Sequence, residues 1–189
     1  IVEQSMDDSH GMNHFKSVRS YTEIIIDDLL KKNTILIPNV DNIVAIKIIL
    51  DAAFVHDLID RKYMDEGIAI NNLRNTFISN DYDGLQAEMI IRIISTMSFS
   101  KRVERLKLGL SMIELDFLHT AVAIVADADQ LDSYDVSRCI KFQQAKISEK
   151  NDPDGSLRLK WIKTILANRV LKYRDYYMST DIARTLALP

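Results

Sequence analysis

The most informative stretch of the sequence is residues 42–58, NIVAIKIILDAAFVHDL. Drawn as a helix, this segment is apolar on nearly every side, which is typical of a helix buried at the centre of a domain. Asp41 precedes it and is a suitable N-cap, because its carboxylate can accept a free backbone N–H of the first turn. The β-branched residues would also suit a strand, but the length and the lack of flanking turn residues favour a helix.

Composition and periodicity extend the helical prediction to the whole chain. The 189 residues include only 5 Gly and 3 Pro, too few turn-forming residues for a sandwich or barrel of many short strands. Apolar periodicity predicts further helices at residues 13–32, 66–79, 84–97 and 112–148, the last bent near 132–135, and a final helix capped by Ser156 and running to about residue 178. We expect an all-α fold with a single domain over residues 1–189, its core at about 8–148 and a C-terminal helical extension at about 156–187.

Charge and cysteine content exclude several classes of protein. With 24 Lys and Arg against 27 Asp and Glu, the formal net charge is −3, which argues against a protein that works mainly on nucleic acid or an anionic membrane. The single cysteine excludes an internal disulfide and a cysteine-rich metal site, and it favours a reducing compartment. No apolar run approaches the roughly 18–20 residues of a membrane span. We therefore expect a cytoplasmic protein with no membrane partner.

Two predicted helices carry polar residues where their patterns call for apolar ones. Successive helix residues are about 100° apart, so the face of each residue can be computed. Within and just beyond residues 42–58, His56, Asp57 and Asp60 continue the apolar stripe centred on Ala53. In the first helix, His14 also lies on the apolar stripe. These four side chains are therefore expected to point into the core.

A third predicted helix adds carboxylates to the same interior. Asp129 and Asp132 lie on the apolar stripe centred on Val125, whereas Asp127 falls on the opposite side, so we expect its removal to leave metal binding intact. Unpaired buried carboxylates are costly, and no Lys or Arg shares these stripes. Taken alone, a core His is more often a hydrogen-bonding residue and a terminal Asp more often a cap. Their coincidence on three helices favours one divalent cation held by two imidazoles and two carboxylates, a ligand set that suits Mn, Fe, Co, Ni, Zn or Mg.

Several motifs then match a known family in order along the chain. The chain resembles the HD-domain metal-dependent phosphohydrolases, whose signature is an early His, an adjacent His-Asp pair that ends a buried helix, and a distant Asp. The similarity is to a short bacterial-type subgroup and spans essentially the whole chain. The segments that carry it are DDSHGMNHFKSVRSY (7–21), AAFVHDLIDRKY (52–63), SFS (98–100), VADADQLDSY (125–134) and LKYRDYYMSTDIARTLA (171–187).

The resemblance implies a single HD-domain helical bundle and a specific set of site residues. The metal ligands would be His14, rather than the nearby His10, together with His56, Asp57 and Asp129. The family places a catalytic Glu in some members at the position of Asp60. One metal is expected, because the further His residues that two-metal members use are missing, unless His10 helps to hold a second ion.

Further roles follow for five residues close to these ligands. Asp60 is a candidate general base or acid, and Asp132 would orient a ligand or a water. Lys62, Arg19 and His10 are candidate donors to the substrate phosphate, with His10 also a candidate catalytic residue.

The implied function is hydrolysis of a small phosphorylated substrate, a nucleotide, by a metal-activated water. Two reactions remain open: removal of pyrophosphate from a nucleoside triphosphate, or removal of phosphate from a nucleoside monophosphate. The alternative is a catalytically silent HD-fold module that binds metal or nucleotide and works through protein contacts. Nucleic acid is not an expected partner, and a homodimer is left open.

Overall fold

The computed structural model describes residues 12–59, 65–114, 116–134, 152, 154–168 and 170–187. All the regular structure within these ranges is helical, as the sequence predicts. The α-helices, in chain order, are α1 (Met12–Lys31), α2 (Asn42–Val55), α3 (Glu66–Ile78), α4 (Gly84–Thr96), α5 (Phe99–Lys107), α6 (His119–Asp132), α7 (Ser156–Asn168) and α8 (Asp181–Leu186). Between α7 and α8 lie a 3-10 turn, Val170–Lys172, and a π-helical turn, Tyr173–Tyr177.

Aspartate side chains cap the N-termini of α2, α3 and α4. Asp41 accepts the backbone N–H of Ile43 at the start of α2, as predicted, and Asp83 accepts that of Gln86 at the start of α4. Asp65 caps α3 in the same way. Each carboxylate satisfies a backbone donor that has no partner within its own helix.

The core lies where α1, α2, α4 and α6 meet. α1 packs against α6 and α2, and α2 also packs against α4 and α6, so the apolar second helix occupies the centre as predicted. Four isoleucines, one from each of these helices, are fully shielded from solvent: Ile25, Ile49, Ile90 and Ile124. No helix in the described part of the chain is both long and apolar enough to cross a bilayer.

The prediction of one helix from residue 112 is wrong in its first part. Residues 112–114 and 116–118 form no helix, and α6 begins at His119. The chain before this stretch forms α5, a helix that the sequence does not predict. Gly109 ends the turn after α5 with a φ of 72°, a left-handed conformation that glycine adopts without steric cost. The Asp116 carboxylate accepts the backbone N–H of Leu118 at 2.8 Å, a local bond that competes with helix formation. The predicted continuation of this helix beyond Tyr134 lies outside the described residues.

The prediction of one final helix from Ser156 to about residue 178 is also wrong. α7 ends at Asn168, and the two short turns and α8 follow it. The capping group is Asp152 rather than Ser156, because its buried carboxylate accepts the backbone N–H groups of Leu157 and Arg158, both at 2.9 Å. Aspartate at this position satisfies two free donors of the first turn of α7 at once.

Truncation of a core isoleucine tests the packing of α4. We expect Ile90→Ala to lower the free energy of unfolding by about 2–5 kcal/mol, because it removes buried methyl groups and leaves a cavity. Leu85→Ala in the same helix is the control, since Leu85 is 65 % exposed. Urea unfolding of both variants measures the difference, and equal losses would contradict the described burial of α4.

Candidate metal centre

His14 is oriented by a carboxylate from another helix. It lies in the first turn of α1, is 4 % exposed, and its Nδ1 is 2.7 Å from Oδ2 of Asp132 on α6. A carboxylate accepts hydrogen bonds, so Nδ1 of His14 carries the proton and donates. The Nε2 atom of a neutral His14 therefore presents a lone pair to the interior of the site.

His56 is oriented by the backbone of its own helix. It follows the last residue of α2, is 5 % exposed, and donates from Nδ1 to the carbonyl oxygen of Ala53 at 2.8 Å. Its Nε2 is therefore also an acceptor when the ring is neutral, and it lies 3.0 Å from Nε2 of His14. Two lone pairs at this distance repel each other unless a proton or a cation lies between them.

Two carboxylates complete this group, which we call the acceptor cluster: His14, His56, Asp57 and Asp129. Asp57 directly follows His56, and its oxygens lie 3.4 Å from Nε2 of each histidine. An oxygen of Asp129, on α6, lies 3.6 Å from Nε2 of His14 and 3.7 Å from that of His56. The Asp57 and Asp129 side chains are 18 % and 29 % exposed, so solvent reaches the cluster from the carboxylate side.

The spacing and chemistry of the acceptor cluster fit a divalent cation. Two atoms bound at about 2.1 Å to one ion, at the angles of common coordination geometries, lie about 3.0–3.4 Å apart. The two Nε2 atoms are 3.0 Å apart, and the separations between these nitrogens and the carboxylate oxygens run from 3.4 Å to 3.7 Å, so only small side-chain movements would be needed. One ligand atom each from His14, His56 and Asp129 lies within 4.8 Å of the others. The cluster thus brings two imidazole nitrogens and an Asp129 oxygen together, with an Asp57 oxygen 3.4 Å from each nitrogen.

Electrostatics within the cluster favour its charged forms. Burial opposes protonation of His56, but the charges of Asp57 and Asp129 outweigh it and raise the His56 pKa to about 9. Burial likewise opposes ionisation of Asp129, but hydrogen bonding and charge from His56 hold the Asp129 pKa down at about 2. Without a metal, His56 therefore retains a proton at neutral pH, and this proton occupies the space that a cation would take.

The remaining residues proposed from the sequence are placed as follows. Asp132 contacts His14 and orients its ring, the kind of contact that supports a metal ligand. Arg19 lies about 140° around α1 from His14 and pairs with Glu23, with Nε 3.3 Å from the carboxylate. His10, Asp60 and Lys62 lie outside the described residues.

Sequence reasoning did not identify the buried side chains on the opposite face of α6. Arg102 of α5 is 1 % exposed; its burial lowers the pKa of the guanidinium, whereas the nearby charge of Asp127 raises it. Within the described chain, its Nε and Nη1 atoms have no hydrogen-bond partner. Asp127 itself is fully buried. The helix phase signalled correctly that Asp127 faces away from His14, but no sequence signal marked Arg102, since arginine is seldom buried.

Solved structures of one bacterial protein share this fold. Bacillus subtilis YpgQ in complex with ADP aligns with a TM-score of 0.62 and 24 % identity over 97 % of this chain and 83 % of that one. The selenomethionine form of YpgQ aligns with a TM-score of 0.62 and 26 % identity over 93 % of this chain and 79 % of that one. No family model and no curated protein sequence matches the chain.

Removal of the carboxylate behind His14 tests how the cluster is oriented. We expect Asp132→Ala to weaken divalent-metal binding by about 10–100-fold, because the ring of His14 loses the partner that directs its Nε2. Competition with a chromogenic chelator measures the dissociation constant. Asp51→Ala is the control, since this α2 carboxylate pairs with Lys47 and lies outside the cluster. An unchanged metal affinity in Asp132→Ala would contradict the role of this contact.

The raised pKa of His56 predicts how the stability of the metal-free protein depends on pH. A pKa raised from 6.5 to about 9 stabilises the folded state fully below pH 6.5, and this stabilisation is lost as pH rises through about 9. Chelator-treated protein should therefore lose on the order of 3 kcal/mol between these limits. Urea unfolding at a series of pH values measures the loss. The free energy of unfolding of His56→Gln should depend less on pH. Parallel pH profiles for the two proteins would contradict the raised pKa of His56.

Proposed function

We propose that this chain is a metal-dependent phosphohydrolase of the HD-domain type that acts on a nucleotide. The observation that carries the proposal is the acceptor cluster, in which Nε2 of His14 and Nε2 of His56 face each other at 3.0 Å beside two carboxylates. Such an arrangement of acceptors is unfavourable without a positive charge at its centre. A divalent cation supplies that charge and is the cofactor that the proposal requires.

The proposal of a nucleotide substrate has two supports. The motifs quoted in the sequence analysis resemble those of the HD-domain family, whose members hydrolyse phosphate esters and anhydrides. In addition, YpgQ, which shares the fold over nearly the whole chain, was crystallised with ADP. A nucleotide carries the anionic oxygens that a divalent cation attracts, so the ligand of that protein and the cluster of this one are chemically consistent.

Held by His14, His56, Asp57 and Asp129, a divalent cation would lower the pKa of a bound water and polarise a phosphoryl oxygen. The protein's own groups prepare the site for it. Asp132 and the Ala53 carbonyl hold the two Nδ1 protons, so both Nε2 atoms are available as ligands. The exposure of the carboxylate side leaves room for water and a phosphate to approach.

We assign the remaining catalytic roles to residues that lie close to the cluster residues in the sequence. Phosphoryl transfer depends on positive groups that contact the phosphate oxygens and on a group that moves a proton. We assign the proton transfer to Asp60 or His10, and the phosphate contacts to Lys62, Arg19 and His10. For Arg19 this contact requires the guanidinium to exchange its partner Glu23 for the substrate, a change that an exposed ion pair permits at little cost.

A substrate panel tests the reaction and separates its two versions. Purified protein loaded with Mn, Co or Mg is incubated with nucleoside mono-, di- and triphosphates, and free phosphate and pyrophosphate are measured separately. We expect turnover in one of these assays, together with about one metal ion per chain by elemental analysis. Pyrophosphate from triphosphates indicates a pyrophosphohydrolase, and phosphate from monophosphates indicates a phosphatase. Metal and nucleotide binding without hydrolysis would instead support the silent module, and failure to load any metal would overturn the proposal.

The matched variants for this assay are Asp129→Ala and Asp51→Ala. Asp129→Ala removes one ligand and should abolish metal retention and lower turnover by at least about 100-fold. Asp51→Ala removes a carboxylate that pairs with Lys47 and should leave both unchanged. Equal activity of the two variants would show that the cluster does not carry the reaction.

A further inference from the structure

We propose that Asp127 is a positioning residue for the metal centre, because it sets the rotation of α6 and so the direction of Asp129. This inference rests on the proposed metal centre and deepens it. The partner of Asp127 is the short segment Tyr177–Thr180, which we call the C-terminal brace.

Asp127 is bound to the C-terminal brace through both of its carboxylate oxygens. It is 0 % exposed. The backbone N–H of Ser179 donates to Oδ1 at 3.0 Å and to Oδ2 at 2.9 Å. The backbone N–H and the hydroxyl of Thr180 both donate to Oδ2, at 2.7 Å and 2.9 Å. Hydrogen bonds to a buried carboxylate are stronger than those between neutral groups, so the contact is a firm attachment.

This attachment also sets the direction of Asp129, because the two residues lie on the same helix. Asp127 and Asp129 are separated by about 200° around α6. When Asp127 binds the brace on one side of the helix, Asp129 therefore points to the other side, towards His14 and His56. A rotation of α6 by about 20° would move a carboxylate that lies about 6 Å from the helix axis by about 2 Å. Metal–ligand distances tolerate only about 0.2 Å, so small rotations of this helix matter to the centre.

The brace is also held on its other side. Arg102 of α5 donates from Nη2 to the carbonyl oxygen of Tyr177 at 2.6 Å, and the same nitrogen contacts the sulfur of Met112 at 3.3 Å. The brace thus lies between a buried cation and a buried carboxylate. It leads directly into α8, which packs against α1 and α6, the helices that carry His14 and Asp129. Loosening the brace would therefore disturb ligands on two helices.

This inference reverses an expectation drawn from helix phase. Because Asp127 faces away from the acceptor cluster, the sequence predicts that its removal leaves metal binding intact. The contacts with Ser179 and Thr180 indicate instead that removal frees α6 to rotate.

The experiment compares Asp127→Ala with Leu73→Ala, a core truncation in α3, which packs against α4 away from the metal ligands. Co²⁺ titrations are run well below the melting temperature of each variant, and the d–d absorption spectrum is recorded. We expect Asp127→Ala to weaken Co²⁺ binding at least tenfold and to change the spectrum, whereas Leu73→Ala alters neither despite its loss of stability. Asp127→Asn, which keeps one acceptor oxygen, should recover part of the affinity.

A metal-free readout separates this inference from the proposed function. In chelator-treated protein, the imidazole nitrogen resonances of His14 and His56 report their contacts with each other and with Asp132. We expect Asp127→Ala to shift them and Leu73→Ala not to. If Asp127→Ala does not fold, Thr180→Val, which removes only the hydroxyl bond, should show a smaller shift in the same direction. Unchanged resonances would overturn the inference, whether or not the protein binds Co²⁺. Failure to bind Co²⁺ would separately overturn the proposed function.

Discussion

The main constraint on this structure is that Nε2 of His14 and Nε2 of His56 face each other at 3.0 Å, while each ring directs its Nδ1 proton to a partner outside the cluster. Nδ1 of His14 donates to Asp132 and Nδ1 of His56 donates to the Ala53 carbonyl, so both Nε2 atoms are acceptors unless they are protonated. Asp57 and Asp129 add two carboxylates to the same space. The group is stable only with a positive charge at its centre, either a proton on His56 or a divalent cation.

The surrounding helices also hold this arrangement in place when His56 loses its proton and the four groups repel one another. His14, His56 and Asp129 are placed by α1, α2 and α6, the helices whose mutual contacts form much of the core. Their apolar faces are deeply buried, and the free energy of that burial offsets the cost of bringing like groups together. The same packing leaves the Asp57 and Asp129 side chains partly exposed to solvent.

Several parts of this arrangement could be predicted from local sequence signals. The apolar second helix and its Asp41 cap follow from composition and capping preferences, and the structure confirms both. The break before α6 could not be predicted, because apolar residues before Asp116 mimic a helical pattern, whereas the Asp116 carboxylate forms a local bond with the backbone N–H of Leu118. α5 is also hard to predict, because it is short and polar and Arg102 is its only buried residue.

By itself the sequence determined which side chains share a helix face, since the period of a helix is a local property that 100° steps reproduce. This was enough to place six polar residues on buried stripes and to set Asp127 apart. The family resemblance then selected four of the six, His14, His56, Asp57 and Asp129, as candidate ligands. Only the tertiary structure decided which nitrogen of each histidine faces the cluster and what Asp127 binds. Those contacts join residues far apart in the chain, such as Asp127 and Thr180, and depend on how whole helices pack rather than on any local pattern.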